Sequence, residues 1–267
     1  MIINDQKVEI IFSNNPTNIN YSQYGISNAI LIDNTGIWRD RKSLAQHLSQ
    51  TITNVILTAP GKNIPNIVYG VNNIPKDNIL SAASCTTNAI VPIIKLINDN
   101  FKIKSGHIET VDSYTNDQNL LENYHKKWRR GRAAAYNIVL TETGAGDAIN
   151  KCLPEIKNKF TANAIRVPTP NVSIAILILN VNSDITKEII NNIIKQESTY
   201  GKLFKQIEYY KFPDGVSSDF IGNKHTSIID SYATKVKNNQ CNLYVWYDNE
   251  FSYSAQVLRL ADYLCRS

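Results

Sequence analysis

Short apolar runs separated by turn residues, with helix-period stretches between them, mark the first third of the chain. The runs at 8–13 (VEIIFS), 28–33 (NAILID), 54–60 (NVILTAP) and 66–71 (NIVYGV) have the length and composition of strands. Between the second and third, segment 41–50 places Leu44, Ala45 and Leu48 at helical spacing. Strand, helix, strand in this order predicts a βαβ unit with a parallel sheet and a right-handed crossover. The run 89–101 reads as a buried helix, with Ser84, Thr86, Thr87 and Asn88 all suited to cap its start. Pro92 fits that helix at little cost only near its first turn. Strands are expected at 107–115, from 163, at 172–181, 207–212, 216–220 and 241–248, with a turn at Asp214–Gly215. Helices are expected at 146–160 around Pro154, at 186–196 with Ile189, Ile190, Ile193 and Ile194 on one face, and at 252–265. The pattern is that of a two-part α/β protein, a βαβ-type front followed by a mixed, largely antiparallel part and a closing helix.

The 267 residues suffice for one large domain or two modest ones. Apolar residues at 43% and charged residues at 19% are an ordinary globular balance. A net charge of +5 suits a small anionic substrate as well as nucleic acid and so selects neither. The longest apolar run, 172–181, falls short of the about 20 residues that span a bilayer, and the first residues lack a signal-peptide layout. Cys85, Cys152, Cys241 and Cys265 stand far apart without paired spacing, so neither a disulfide framework nor a zinc site is expected. A reducing, cytoplasmic setting follows as the expectation.

One of these cysteines carries a chemical signal. Cys85, in SAASCTTNAI, sits where the buried helix begins. A thiol at a helix start meets unpaired N–H groups and their partial positive charge, which lowers its pKa. Hydroxyl and amide neighbours there can hold an oxyanion or a phosphate. The competing reading is a buried thiol, because free cysteine is among the most buried residue types. Other polar residues are candidates to converge with it. Thr143 and Gly144 lie in the flexible TGAG turn, Arg166 sits between apolar neighbours and needs an anion, and Asn249 belongs to a polar–aromatic turn.

Taken in order, SAASCTTNAI, TVDSYT, RRGRAAAYNI, TGAG, IRVPTPNVS, VSSDF and WYDNEFSYS resemble the phosphorylating glyceraldehyde-3-phosphate dehydrogenase family, from about residue 6 to the end. The resemblance implies a truncated Rossmann-type dinucleotide-binding domain (1–84 and 249–267) and an α+β catalytic domain (85–248) with a largely antiparallel sheet. It makes Cys85 the nucleophile that attacks an aldehyde, with NAD accepting the hydride and inorganic phosphate displacing the acyl group. It places Ser84, Thr86, Thr143, Gly144 and Arg166 around the attacking phosphate, and Thr115 with Arg166 around the substrate's own phosphate. Asn249 and Tyr253 would flank the nicotinamide, and Thr35 and Gly36 the cofactor loop. A homo-oligomer is implied in the same way; no metal is.

Two departures from the family pattern stand out. Asp112 occupies the position of the histidine that pairs with the nucleophile. A carboxylate about 4 Å from the sulfur costs a thiolate up to about 4 kcal/mol at an effective dielectric of about 20. His107, five residues earlier on the same predicted strand, points to the opposite face. Secondly, the sequence holds no GxGxxG, the turn that cradles a dinucleotide pyrophosphate. NAD binding is therefore expected to be weakened or lost, and Asp147 beside the TGAG turn replaces a usual lysine. A degenerate, non-catalytic partner subunit is the alternative reading. A third, RNA binding through 125–132 around Trp128, is weaker, because one short basic cluster reads better as a solvated, interface-forming loop.

Overall fold

A computed structural model of the chain describes residues 1–266; the last residue of the expected terminal piece, 267, lies outside them. The front opens with β1 (Ile2–Ile3) and β2 (Gln6–Lys7), a minimal antiparallel pair. Residues 8–13, expected as a strand, are irregular: Ile10 and Phe12 are exposed and have no sheet to pack on.

Strand β3 (Ala29–Asp33), helix α1 (Arg41–Leu44), β4 (Ile52–Leu57) and β5 (Ile79–Ser81) follow. The three strands form a parallel sheet in the order β3-β4-β5, as the βαβ pattern requires. Helix α1 is shorter than the periodicity predicts. A capping box between Asp40 and Ser43 starts it, and it tightens after Leu44 into a 3-10 turn at Ala45–His47. Segment 66–71 is not a strand. The Asn66 side chain bonds the backbone of Gly61 and Ile64, and Gly70 turns the chain at φ 82°. The strand position beside β4 is taken by β5 instead, which the sequence pattern missed.

The larger part is built on α2 (Cys85–Phe101), β6 (Ile103–Ser113), β7 (Val139–Thr141), α3 (Ala145–Cys152), β8 (Phe160–Val167), β9 (Ser173–Val181), α4 (Lys187–Tyr200), β10 (Ile207–Tyr210), β11 (Ser227–Asp230), β12 (Lys235–Lys237) and β13 (Gln240–Tyr247). Its eight-stranded sheet runs β10-β11-β13-β9-β6-β8-β7, with β12 on β13. Most pairs are antiparallel, while β10–β11 and β6–β8 are parallel. The expected strand at 216–220 is a 3-10 turn, Ser217–Phe220. Asp219 accepts the Val216 N–H at 2.9 Å there, and Phe220 stacks on Trp246.

Helices α2, α3 and α4 cover one face of this sheet. Ile90, Ile93, Ile94 and Ile97 of α2 are fully buried against residues such as Leu177, Leu243 and Val245. Pro92 lies well inside α2, beyond the first turn where the sequence would place it comfortably. Its ring cannot donate to the Asn88 carbonyl; the Ser227 hydroxyl approaches that oxygen at 3.5 Å and donates to Ala89 O at 2.7 Å. Ile94→Ala is expected to lower stability by about 2–5 kcal/mol, read from urea unfolding, because the cavity it leaves is closed on every side.

A final helix, α5 (Phe251–Arg266), returns to the parallel sheet. Val257 and Leu260 pack with Ile56, Ile67 and Leu80, while Leu44, Val55 and Leu57 form a separate cluster. Among the described residues the four cysteines are free, and no helix is long and apolar enough to cross a membrane.

Candidate active site

Helix α2 starts on Cys85. Ser84 caps it, accepting the Thr87 N–H at 3.1 Å, so the thiol stands in the first helical turn as expected. The chain reaches this point through Ala83 in the left-handed region at φ 57°, a strained conformation for a residue with a Cβ. The Tyr253 hydroxyl of α5 donates to the Ala83 carbonyl at 2.9 Å and holds that bend. The parallel sheet, the helix start and α5 thus meet behind one sulfur.

In front of it lies a cavity of about 430 Å³ whose wall includes Ser84, Cys85, Thr86, Asp112, Thr143, Gly144 and Arg166. Seven of the residues selected from sequence therefore converge. The parallel pairing of β6 with β8 sets Asp112 directly beside Arg166. Arg166 Nε stands 4.0 Å from Asp112 Oδ2, too far for a hydrogen bond, and has no hydrogen-bond partner among the described residues. The other arm of the guanidinium, Nη1, donates to Ser113 O at 3.0 Å and to Thr115 Oγ1 at 3.2 Å. Thr143 accepts the Ala145 N–H, and Gly144 precedes α3.

Other sequence-selected residues stand outside this wall. Thr115 is exposed and joins the site through Arg166. Thr35 and Gly36 lie past the carboxyl end of β3, where Thr35 donates to Asp33. Asn249 sits behind β6, its Oδ1 accepting from Ser113 Oγ at 2.8 Å and Ser173 Oγ at 3.3 Å. None of the four histidines lines the cavity; His107 bonds Thr161 on the far face of β6, as its spacing from Asp112 predicts.

Burial pushes the Cys85 thiol up first, and the charge of Asp112 second, while Thr86 and Arg166 pull it down. The sequence offered both a buried thiol and the Asp112 charge, and of the two the packing around the sulfur weighs more. Burial also raises Asp112, against Arg166 and hydrogen bonds from Tyr247 and Thr110. The buried Cys152 thiol is pushed up to about 12 and donates to Asn66 O at 3.8 Å.

Two residues escaped the sequence reading. Tyr247 is 1% exposed and donates to Asp112 Oδ1 at 2.8 Å. Strand alternation along 241–248 places it on the buried face with Leu243 and Val245, and that signal was present. Arg130 belongs to the basic segment read as a solvated loop. Its side chain is instead 13% exposed, bonds Thr141 Oγ1 at 2.9 Å and pairs with Asp117. Burial first, and then the Arg166 charge, push Arg130 down. Two guanidiniums close enough to repel favour an anion between them.

The carboxyl ends of parallel strands are where open α/β sheets bind dinucleotides. The nicotinamide end fits the residues present: with its oxygen engaged, Asn249 has its amide N–H groups left to donate to a carboxamide. No Gly-rich turn is present for a pyrophosphate.

The chain thus joins a parallel three-stranded sheet to a mixed α/β part, with a thiol and a guanidinium on one cavity. Residues 84–249 match the family model described as glyceraldehyde 3-phosphate dehydrogenase, C-terminal domain. The chain belongs to the glyceraldehyde-3-phosphate dehydrogenase family. It is 53% identical over 264 residues to a glyceraldehyde-3-phosphate dehydrogenase-like protein of Pseudomonas aeruginosa, covering 97% of this chain and 57% of that one. It is 40% identical over 270 residues to the glyceraldehyde-3-phosphate dehydrogenase of Priestia megaterium, covering 99% of this chain and 79% of that one. Glyceraldehyde-3-phosphate dehydrogenase 1 of Bacillus subtilis is likewise 40% identical over 272 residues, covering 100% and 80%. The chain thus spans little more than half of the Pseudomonas relative and about four fifths of the other two.

Proposed function

We propose that this chain oxidises an aldehyde phosphate, glyceraldehyde 3-phosphate or a close relative such as erythrose 4-phosphate, through a Cys85 thioester that inorganic phosphate releases. The convergence of a helix-start thiol and the Arg166 guanidinium on one cavity carries this reading. Cys85 forms the C–S bond as the aldehyde π electrons move to oxygen, and the oxyanion faces the hydroxyls of Ser84 and Thr86. Arg166 with Thr115 holds the substrate's phosphate. Arg166, Ser84, Thr86, Thr143 and Gly144 receive the phosphate that breaks the C–S bond. Asn249, Tyr253, Thr35 and Gly36 would hold NAD, the first two at its nicotinamide, and when bound it would supply the hydride acceptor. On this reading residues 85–248 are the catalytic domain, 1–84 with 249–267 serve the nucleotide, and the chain works in the cytoplasm as a homo-oligomer.

The raised Cys85 thiol favours a second reading, a non-catalytic subunit that keeps the fold. Phosphate-dependent NADH formation from glyceraldehyde 3-phosphate separates them. The expected result is slow formation that climbs with pH, since burial and the Asp112 charge keep most of the thiol protonated until the alkaline side, and that disappears in Cys85→Ser. No formation by the chain or by Asp112→His, with no NAD binding, would establish the second reading.

A further inference from the structure

Cys85 and Asp112 share no hydrogen bond, yet an unbroken line of hydroxyls joins them. Cys85 Sγ lies 4.0 Å from Thr86 Oγ1, Thr86 Oγ1 lies 3.2 Å from Tyr247 Oη, and Tyr247 Oη lies 2.8 Å from Asp112 Oδ1. We propose that Thr86 and Tyr247 form a relay through which Asp112 takes the Cys85 proton, in place of a base in direct contact with the thiol. The relay rests on the reading of Cys85 as nucleophile given above.

The direction of the line follows from donor counting. An ionised carboxylate only accepts, so the single Tyr247 proton points to Asp112. Tyr247 Oη must then accept from Thr86, and Thr86 Oγ1 must accept from the Cys85 S–H. Thr110 Oγ1 donates to the second carboxylate oxygen at 3.0 Å, which fixes the rotation of Asp112. Tyr247 is sealed from water at 1% exposure, so its hydroxyl has no competing solvent partner.

Transfer shifts one proton along each link: S–H to Thr86 Oγ, Thr86 O–H to Tyr247 Oη, Tyr247 O–H to Asp112 Oδ1. Each hydroxyl gives one proton and receives one, and the net products are a thiolate and a carboxylic acid. The reversed line then donates toward sulfur, from Asp112 through Tyr247 and Thr86. The site carries one negative charge before and after, which avoids a thiolate beside a carboxylate. Thr86 touches the reacting thiol; Tyr247 acts through Thr86 and is a positioning residue.

Charged and titratable groups face this line from several elements. Arg166 of β8 and Arg130 of the basic loop favour the ionised Asp112, and Tyr253 of α5 packs near Cys85. Across the cavity stand Lys62 and, near α3, Glu142, Asp147 and Lys151. All of them stay in place in the variants below.

The test is the pH profile of iodoacetamide alkylation at Cys85, followed on its peptide in the full chain with Cys265→Ser. The relay expects a plateau on the acid side of the main thiol midpoint, where the proton resides on Asp112. Tyr247→Phe and Thr86→Val are expected to lower that plateau by about tenfold, and Thr86→Ser to keep it. A plateau that is unchanged or higher in Tyr247→Phe overturns the relay, because loss of a donor to Asp112 alone makes the carboxylate a better base. Should Tyr247→Phe fail to fold, the Thr86→Val and Thr86→Ser pair decides, and equal profiles in the two overturn it. A wild-type thiol that resists alkylation at every pH overturns the nucleophile reading itself.

Discussion

Asp112→His is expected to accelerate phosphate-dependent aldehyde oxidation by about 10²–10⁴-fold, the usual worth of a positioned general acid–base group. The site is prepared for this exchange. Asp112 lines the same cavity as Cys85, its neighbour Arg166 is held by Ser113 and Thr115, and Tyr247 Oη is placed to bond the new imidazole. Charge sets the sign. A carboxylate beside the sulfur adds to burial in raising the thiol, whereas an imidazolium opposes burial and lowers it. Each interaction is worth up to about 4 kcal/mol at about 4 Å and an effective dielectric of about 20. The main midpoint of Cys85 alkylation in the variant is therefore expected at lower pH than in the wild type, and the rate of NADH formation is expected to start its rise at lower pH. An unshifted midpoint would show that Asp112 exerts no charge effect on this thiol.

Arg166→Gln is expected to raise KM for the aldehyde phosphate and for inorganic phosphate by about 10–100-fold, as hydrogen bonds to charged groups contribute about 1.5–3 kcal/mol. Arg166 is the side chain that meets the cavity, Thr115 and Asp112 together, and its Nε has no hydrogen-bond partner among the described residues. Removing the guanidinium also removes the largest influence holding Asp112 down, so that carboxyl would keep its proton to higher pH. Arg166→Lys is expected to rescue little, since an ammonium lacks the planar fork that reaches Ser113, Thr115 and an anion at once. Steady-state kinetics with each substrate varied in turn measure both KM values, and unchanged values would remove Arg166 from the anion site.

Much of this arrangement was legible along the chain because it depends on local order. That Cys85 stands near the start of α2 follows from the cap residues around it and the apolar run after them; which of Ser84, Thr86, Thr87 and Asn88 caps the helix does not, and the structure gives Ser84. The parallel pairing of β3 with β4 follows from strand and helix alternation, and the opposed faces of His107 and Asp112 from the two-residue period of β6. Segments that failed did so where a long-range partner decides. Residues 66–71 look as apolar as β4, but the edge of that sheet goes to β5 and Asn66 ties its own segment into a turn. Residues 216–220 are expected as a strand after the turn at Asp214–Gly215, yet Phe220 is drawn into the rings of Tyr210 and Trp246.

Local order along the chain settles which groups are present and roughly where they sit: a thiol at a helix start, an aspartate in TVDSYT, an arginine between apolar neighbours, and no GxGxxG. Only the tertiary structure decided what those groups feel. Arg130 looks like one charge in a solvated loop until β7 and Thr141 enclose it, and Tyr247 looks like a core ring until β13 brings its hydroxyl to Asp112 on β6. Desolvation and hydrogen bonding act through space, among atoms set side by side by strand pairing across large separations in sequence. For that reason the desolvation of the half-buried Cys85, which outweighs the charge of Asp112, is set by packing and not by the residues that flank it.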